Sequence, residues 1–280
     1  MADSLAKQIS DTLPEREINI IMIKHELKQG RTTLLIWTAV IAFMLALCVL
    51  IYPEMETQMG DVSSMFAEMG GFSAAFGMDR LNFGEFMGFF GVECGNILGL
   101  GGAFFAALLG ISVLAKEEKE QTAEFLLTHP VSRRAIVGKK LVSVLIQILL
   151  LNISVAGVTA ASIWAIGESP AFRPLFLLFL AYLILQVEVA SVCFGISAFL
   201  NQGGAGVGLG LAALLYFLNI IANLTEQVKF LKYATPFSYT ESADIITEEC
   251  LNMKYLSVGL LFTVIGIGVG FYRYCRKDIL

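Results

Sequence analysis

The sequence predicts an all-α integral membrane protein, and three observations carry that prediction. Hydrophobic residues make up 56% of the 280 positions and charged residues only 15%, with a mean hydropathy of +0.73, too apolar for an ordinary soluble domain. Six separate apolar runs approach or exceed the roughly 20 residues that a helix needs to cross about 30 Å of hydrocarbon. Between the second and third runs lies a dense polar island, Lys116 to Lys140, which cannot itself lie in hydrocarbon.

Taken in order, Ala2 to Pro14 is a loose polar lead. No small-residue cleavage site of the signal-peptide kind follows the first apolar run, so the N-terminus is expected to stay on the mature protein. Glu15 to Arg31 mixes Ile18, Ile21, Met22 and Leu27 with Arg16, Lys24, Lys28 and Arg31. That suits either a helix in the inner headgroup layer or a soluble N-terminal helix. The predicted spans are Thr33 to Tyr52, Phe86 to Leu114, Leu141 to Ile166, Leu175 to Leu200, Gly206 to Asn223 and Tyr255 to Tyr272. Pro53 to Glu85 interleaves acidic residues with Met55, Met59, Met65 and Met69, which fits a short amphipathic helix on the outer leaflet or a loose acidic loop. The whole chain, 1–280, reads as one transmembrane domain: 1–32 a tail and interfacial helix, 33–272 a six-span bundle, 273–280 a second tail.

Six crossings put both termini on one side, and Lys plus Arg decide which. The N-terminal tail, the island and the C-terminal tail together hold 14; the opposite set, Arg80, Arg173, Lys229, Lys232 and Lys254, holds 5. Both termini and the island are therefore expected in the cytoplasm of a multi-pass protein of the plasma membrane.

Within the island, Glu117, Glu118, Glu120 and Glu124 precede Phe125, Leu126 and Leu127, and Pro130 then stops the helix before Ser132, Arg133 and Arg134. That order predicts a short exposed helix, a turn, and a basic return to the membrane. An ordinary solvated loop is the alternative.

Motifs that would carry chemistry are scarce. The phosphate-binding pattern G-x-x-x-x-G-K-[ST] has one candidate, Gly138-Lys139, but Arg133 stands at the first glycine position and Lys140 at the hydroxyl position. The chain is thus expected to carry no nucleotide site, no cofactor and no enzymatic activity of its own. Cys48, Cys94, Cys193, Cys250 and Cys275 are odd in number and widely spaced, and His25 and His129 are isolated, so neither a disulfide framework nor a metal site is expected. No basic nucleic-acid footprint is present.

Gly91, Gly95 and Gly99 recur every four residues, which lets a neighbouring backbone approach closely. At roughly 100° per residue Glu93 faces away from that stripe and shares a face with Asn96. Glu188 lies mid-span with Gln186 close in sequence; an ionised carboxylate there costs about 3 kcal/mol. Two readings of Glu93, Asn96, Gln186 and Glu188 stand open: polar groups along a substrate or proton path, or structural polar groups, with Glu93, about two turns from the outer end, reaching the headgroups and Glu188 tying its span to another helix by a hydrogen bond.

The run Glu124-Phe125-Leu126-Leu127-Thr128, then Pro130-Val131-Ser132-Arg133 and Gly138-Lys139, resembles the first cytoplasmic loop of ABC-2 type permeases, the membrane halves of ATP-driven exporters. Pro236-Phe237, Tyr239, Ala243 and Asp244 are similar to the short outer re-entrant helices before that family's last span. The ending Tyr272 to Ile279 resembles its basic tail. The resemblance implies that Glu15 to Arg31 is an elbow helix and that Glu117 to Leu127 is a coupling helix. It also implies that two separate ATPase subunits bind ATP and Mg. Six helices with short turns enclose little by themselves, a reason to expect two copies; the resemblance suggests a homodimer. The spans are rich in Phe, Leu, Ile and Met, which suits a hydrophobic or amphipathic cargo, and the analogy favours an antimicrobial or cytolytic peptide. The rivals are a proton-coupled secondary transporter using Glu93 and Glu188, and a non-transporting scaffold or immunity protein.

Overall fold

The computed structural model describes residues 15–68, 70–71, 73, 78–114, 132–200 and 204–276. Helix α1, Glu15–Glu68, is one unbroken element of 54 residues, about 80 Å long at 1.5 Å per residue. It overruns any bilayer core, so the predicted interfacial stretch, the first span and the start of the outer segment are one helix and not three. Nothing in the sequence breaks it at Arg31. Gly30 is the flexible point there, and it is pinned: a Cβ at Gly30 would lie 2.3 Å from Gln147 Oε1. Pro53 sits inside the helix, where it removes one backbone donor.

The second span, α2, Phe86–Ser112, is two α-helical pieces joined by a π-helical turn, Gly95–Leu100. Helix α3, Arg133–Ile166, begins well before its apolar run at Leu141, because Ser132 caps it by accepting from the Ala135 N–H at 3.3 Å. It ends at Gly167, whose φ of 78° is the left-handed conformation that closes a helix and that glycine adopts without penalty. Helices α4, Phe172–Ser197, and α5, Ala205–Leu224, follow. Two short 3-10 turns, Glu226–Tyr233 and Pro236–Tyr239, and the short helix α6, Ser242–Glu248, then lead to α7, Met253–Arg276.

The six long helices α1, α2, α3, α4, α5 and α7 are each long and apolar enough to cross a membrane. Helix α4 is the hub: it packs against α2, α3 and α7, while α1 lies along α3 and α5 along α2. Its interior face, with Leu178, Tyr182, Leu185, Val189 and Phe194 essentially inaccessible, is covered from three sides. Leu260, Leu261, Val264 and Ile265 on α7 stay exposed, as lipid-facing positions would.

Charged groups gather at the two ends of the bundle. At one end Arg80 bonds Asp244 at 2.5 Å and Glu241 at 3.3 Å, Lys232 reaches Glu241 at 3.2 Å, and Arg173 lies 3.7 Å from Glu249. At the other, the start of α3 meets the end of α7, with Gly138 against Phe271. Among the described residues, Arg80, Arg173 and Lys232 thus lie at one end of the bundle and Lys140 and Arg273 at the other.

Candidate functional site

Glu117, Glu118, Glu120, Glu124, Phe125, Leu126 and Leu127 lie outside the described residues. The intramembrane candidates are all placed, and the fold distributes them among different interfaces.

The glycine stripe of α2 faces α4 and the short outer elements. A Cβ at Gly91 would lie 2.5 Å from Ile246 and 3.1 Å from Ser242, and one at Gly99 would lie 3.0 Å from the Tyr182 ring. Gly95 sits beside the Tyr182 hydroxyl. The lack of side chains there lets Ser242 donate to the Gly91 carbonyl at 2.5 Å and stand 3.2 Å from Tyr182 Oη. The stripe therefore packs within this chain.

Glu93 and Asn96, which helix phase sets on one broad face, do not share a partner. Glu93 is approached by the Cys48 thiol of α1 at 3.9 Å, whereas Asn96 accepts from the Tyr216 hydroxyl of α5 at 3.1 Å. At about 100° per residue the two positions stand roughly 60° apart, enough for Glu93 to meet α1 while Asn96 meets α5.

Asn96 opens on a pocket of about 70 Å³ between α2, α5 and the Pro236–Tyr239 turn, lined also by Tyr182, Tyr216, Asn219, Phe237 and Ser242. Asn219 is only 8% exposed, and its Oδ1 has no partner among the described residues. A buried amide oxygen without a donor is costly, so this pocket has unused capacity to accept a hydrogen bond from water or from a small polar group. Asn219 carries no sequence signal beyond an amide inside an apolar run. Of the four polar candidates, only Asn96 faces the pocket.

Gln186 and Glu188 point to opposite faces of α4, as two residues about 200° apart must. Gln186 is fully buried toward α3, where its Oε1 accepts from Asn152 Nδ2 at 2.7 Å, and it lies against Gly102. Glu188, 4% exposed, faces α7 and accepts from the Tyr239 hydroxyl at 2.8 Å. Gly259 makes room for it: a Cβ there would lie 2.2 Å from Glu188 Oε2. The Tyr239 hydroxyl is the donor of the bond to Glu188. Glu188 thereby ties α4 to the Pro236–Tyr239 turn across the surface of α7. Gly266 and Gly270 continue that close seam, against the Ser191 carbonyl and the Phe194 ring.

Sequence reasoning missed Lys140. Counted as one more solvated charge of the island, it is 1% exposed, and its ammonium donates to the Val113 carbonyl at 2.9 Å and pairs with Glu26 at 3.2 Å. Nothing in the local run Gly138-Lys139-Lys140 distinguishes the buried lysine from its neighbour except helical phase, and that phase is invisible while the start of α3 is placed at Leu141.

Six apolar helices with α4 as the buried hub, and polar residues kept to interfaces, a small pocket and the bundle ends, define a polytopic membrane protein. The chain matches the family model for ABC-2 family transporter protein over residues 20–279, and it belongs to that family. It is an ABC transporter permease, a membrane domain whose family works with an ABC ATPase partner. No curated protein matches the chain.

Proposed function

We propose that this permease acts as a homodimer docked on two ATPase subunits and moves a hydrophobic or amphipathic cargo out of a bacterial cell, with an amphipathic antimicrobial or cytolytic peptide favoured. The observation that carries the reading is the family match across nearly the whole chain together with a sequence that lacks the phosphate-binding pattern. Hydrolysis then belongs to the partner, which binds ATP and Mg, and force must enter through a cytoplasmic feature. The Glu117 to Leu127 stretch is that feature, with both termini on the same side. ATP binding closes the ATPase pair, draws the two coupling helices together and shifts the spans from inward access toward outward release. The re-entrant role belongs to the Pro236–Tyr239 turn and α6, which sit at the bundle end opposite Lys140.

The pocket, at about 70 Å³, has room for waters or a small polar group and not for a peptide, so the cargo preference rests on the apolar spans. Asn96 and Asn219 offer amide groups, while Val92, Ile220 and Phe237 supply apolar wall. Glu188 lies away from the pocket and is enclosed by Tyr239 and Gly259, which supports its role as a structural tie over the proton-path reading.

The test is purification of the tagged chain from its native membrane in mild detergent. A stoichiometric ATPase subunit should accompany it, the complex should hydrolyse ATP, and the separated chain should not. A chain that purifies alone and takes up substrate on a pH gradient would replace this reading with secondary transport.

A further inference from the structure

An apolar cleft of about 370 Å³ runs between α4 and α7, walled by Val192, Ile196 and Phe199 on one side and Phe262, Ile265 and Val269 on the other. Its floor is made where the helices meet backbone to backbone: a Cβ at Gly195 would lie 2.7 Å from the Gly266 carbonyl oxygen. The glycines remove the side chains that would fill the seam, so the flanking walls stand apart above it. The upper walls are open, with Phe199 57% and Ile265 49% exposed.

One end of the cleft is cationic. The Arg273 guanidinium carbon sits 5.5 Å from the ring centre of Phe199, itself a wall residue. One turn further, Arg276 lies 4.4 Å over the Tyr272 ring and donates to its hydroxyl at 2.6 Å. Stacking orients both groups without neutralising them, and among the described residues no carboxylate forms an ion pair with either. The C-terminus of α7 contributes about half a negative charge against these two full positive ones.

We propose that this cleft binds an acyl chain of an anionic phospholipid, with the phosphate headgroup held by Arg273 and supported by Arg276. An α-helix is about 10 Å across with its side chains, too wide to descend to a backbone-level floor, whereas a single polymethylene chain fits a narrow furrow. The wall chemistry demands hydrocarbon, the rim demands an anion, and in a bilayer a phospholipid carries both on one molecule. The proposal rests on the chain being a membrane protein and is independent of cargo and direction.

The experiment uses the purified full chain in nanodiscs with phosphatidylglycerol or phosphatidylcholine spin-labelled near the chain end, reading the immobilised fraction. The parent should hold phosphatidylglycerol several-fold more strongly than phosphatidylcholine. Arg273→Gln should abolish that preference, and Arg273→Lys should retain most of it. Val269→Trp, which fills the cleft from a half-exposed wall, should remove the immobilised component of both lipids. Val264→Trp, exposed outside the cleft, should leave it unchanged, and the melting temperature of each variant checks that it folds. Equal association of the two lipids with the parent overturns the proposal, as does a phosphatidylglycerol preference that survives both Arg273→Gln and Val269→Trp. Disulfide cross-linking of Val269→Cys between copies in lipid would overturn it too, assigning the cleft to a second copy.

Discussion

Lys140 and Glu26, which stand 114 positions apart in sequence, form an ion pair of 3.2 Å in which the lysine side chain is 2% exposed and the glutamate 18%. The same ammonium donates to the Val113 carbonyl at 2.9 Å. One cation therefore ties the start of α3 to α1 and to the segment that leaves α2, at the base of the island.

Breaking this pair from the lysine side strands a carboxylate and a carbonyl. A fully buried pair broken at one partner costs about 3 to 5 kcal/mol; the partial exposure of Glu26 lets water share the load, so Lys140→Met is expected to cost about 2 kcal/mol. Thermal unfolding in detergent should show a clear drop, partly recovered in the Glu26→Gln, Lys140→Met double variant. A single variant that melts like the parent would show that the pair contributes nothing.

Glu188→Gln should preserve both assembly and export, because the amide oxygen can still accept from Tyr239 in the same space. Glu188→Leu removes the acceptor and leaves a buried phenol unpaired, at a cost of about 1 to 3 kcal/mol. Melting and transport assays of both variants separate the readings. Loss of export by an intact Glu188→Gln complex would move the residue to the substrate or proton path.

Two neighbouring glycines of α7 should behave oppositely. A Cβ at Gly266 would lie 2.4 Å from the Ser191 carbonyl oxygen, while one at Gly268 meets nothing within 4 Å. Gly266→Ala forces the α4 and α7 backbones apart, an overpacking cost of about 1 to 3 kcal/mol. Gly268→Ala should be neutral or stabilising by about 0.5 to 1 kcal/mol. Equal melting temperatures for the two variants would contradict the backbone seam between α4 and α7.

The orientation can be read with a native reporter, since Cys250 is exposed beyond α6. A membrane-impermeant maleimide applied to intact cells should label Cys250, whereas Ser132→Cys in a Cys250→Ser background should label only after permeabilisation. Labelling of both from outside would refute the six-span topology.

Phe125→Ala should weaken ATPase docking by about 2 kcal/mol, roughly thirtyfold, because a buried aromatic anchor holds such complexes. Glu118→Gln should cost much less at physiological salt, since rim charges mainly tune association rate. Titrations of the purified ATPase at two ionic strengths check both. Parent-like binding by Phe125→Ala would reduce the island to a solvated loop.

The sequence by itself determined the class of fold, because lipid imposes a length and a composition on each crossing that no partner can supply. The runs starting at Thr33 and Leu175 therefore stand out without any knowledge of their neighbours, and the motif around Glu124 to Arg133 points to the family that nearly the whole chain matches. The tertiary structure alone decided which polar groups meet. Gln186 and Glu188 bond Asn152 and Tyr239 on opposite sides of α4, and Glu93 and Asn96, close in helix phase, meet Cys48 of α1 and Tyr216 of α5, partners that no local pattern names. Lys140 was hidden for the same physical reason: a charge is judged solvated or buried by what packs over it, and Glu26 and Val113 arrive there only when α1, α2 and α3 come together.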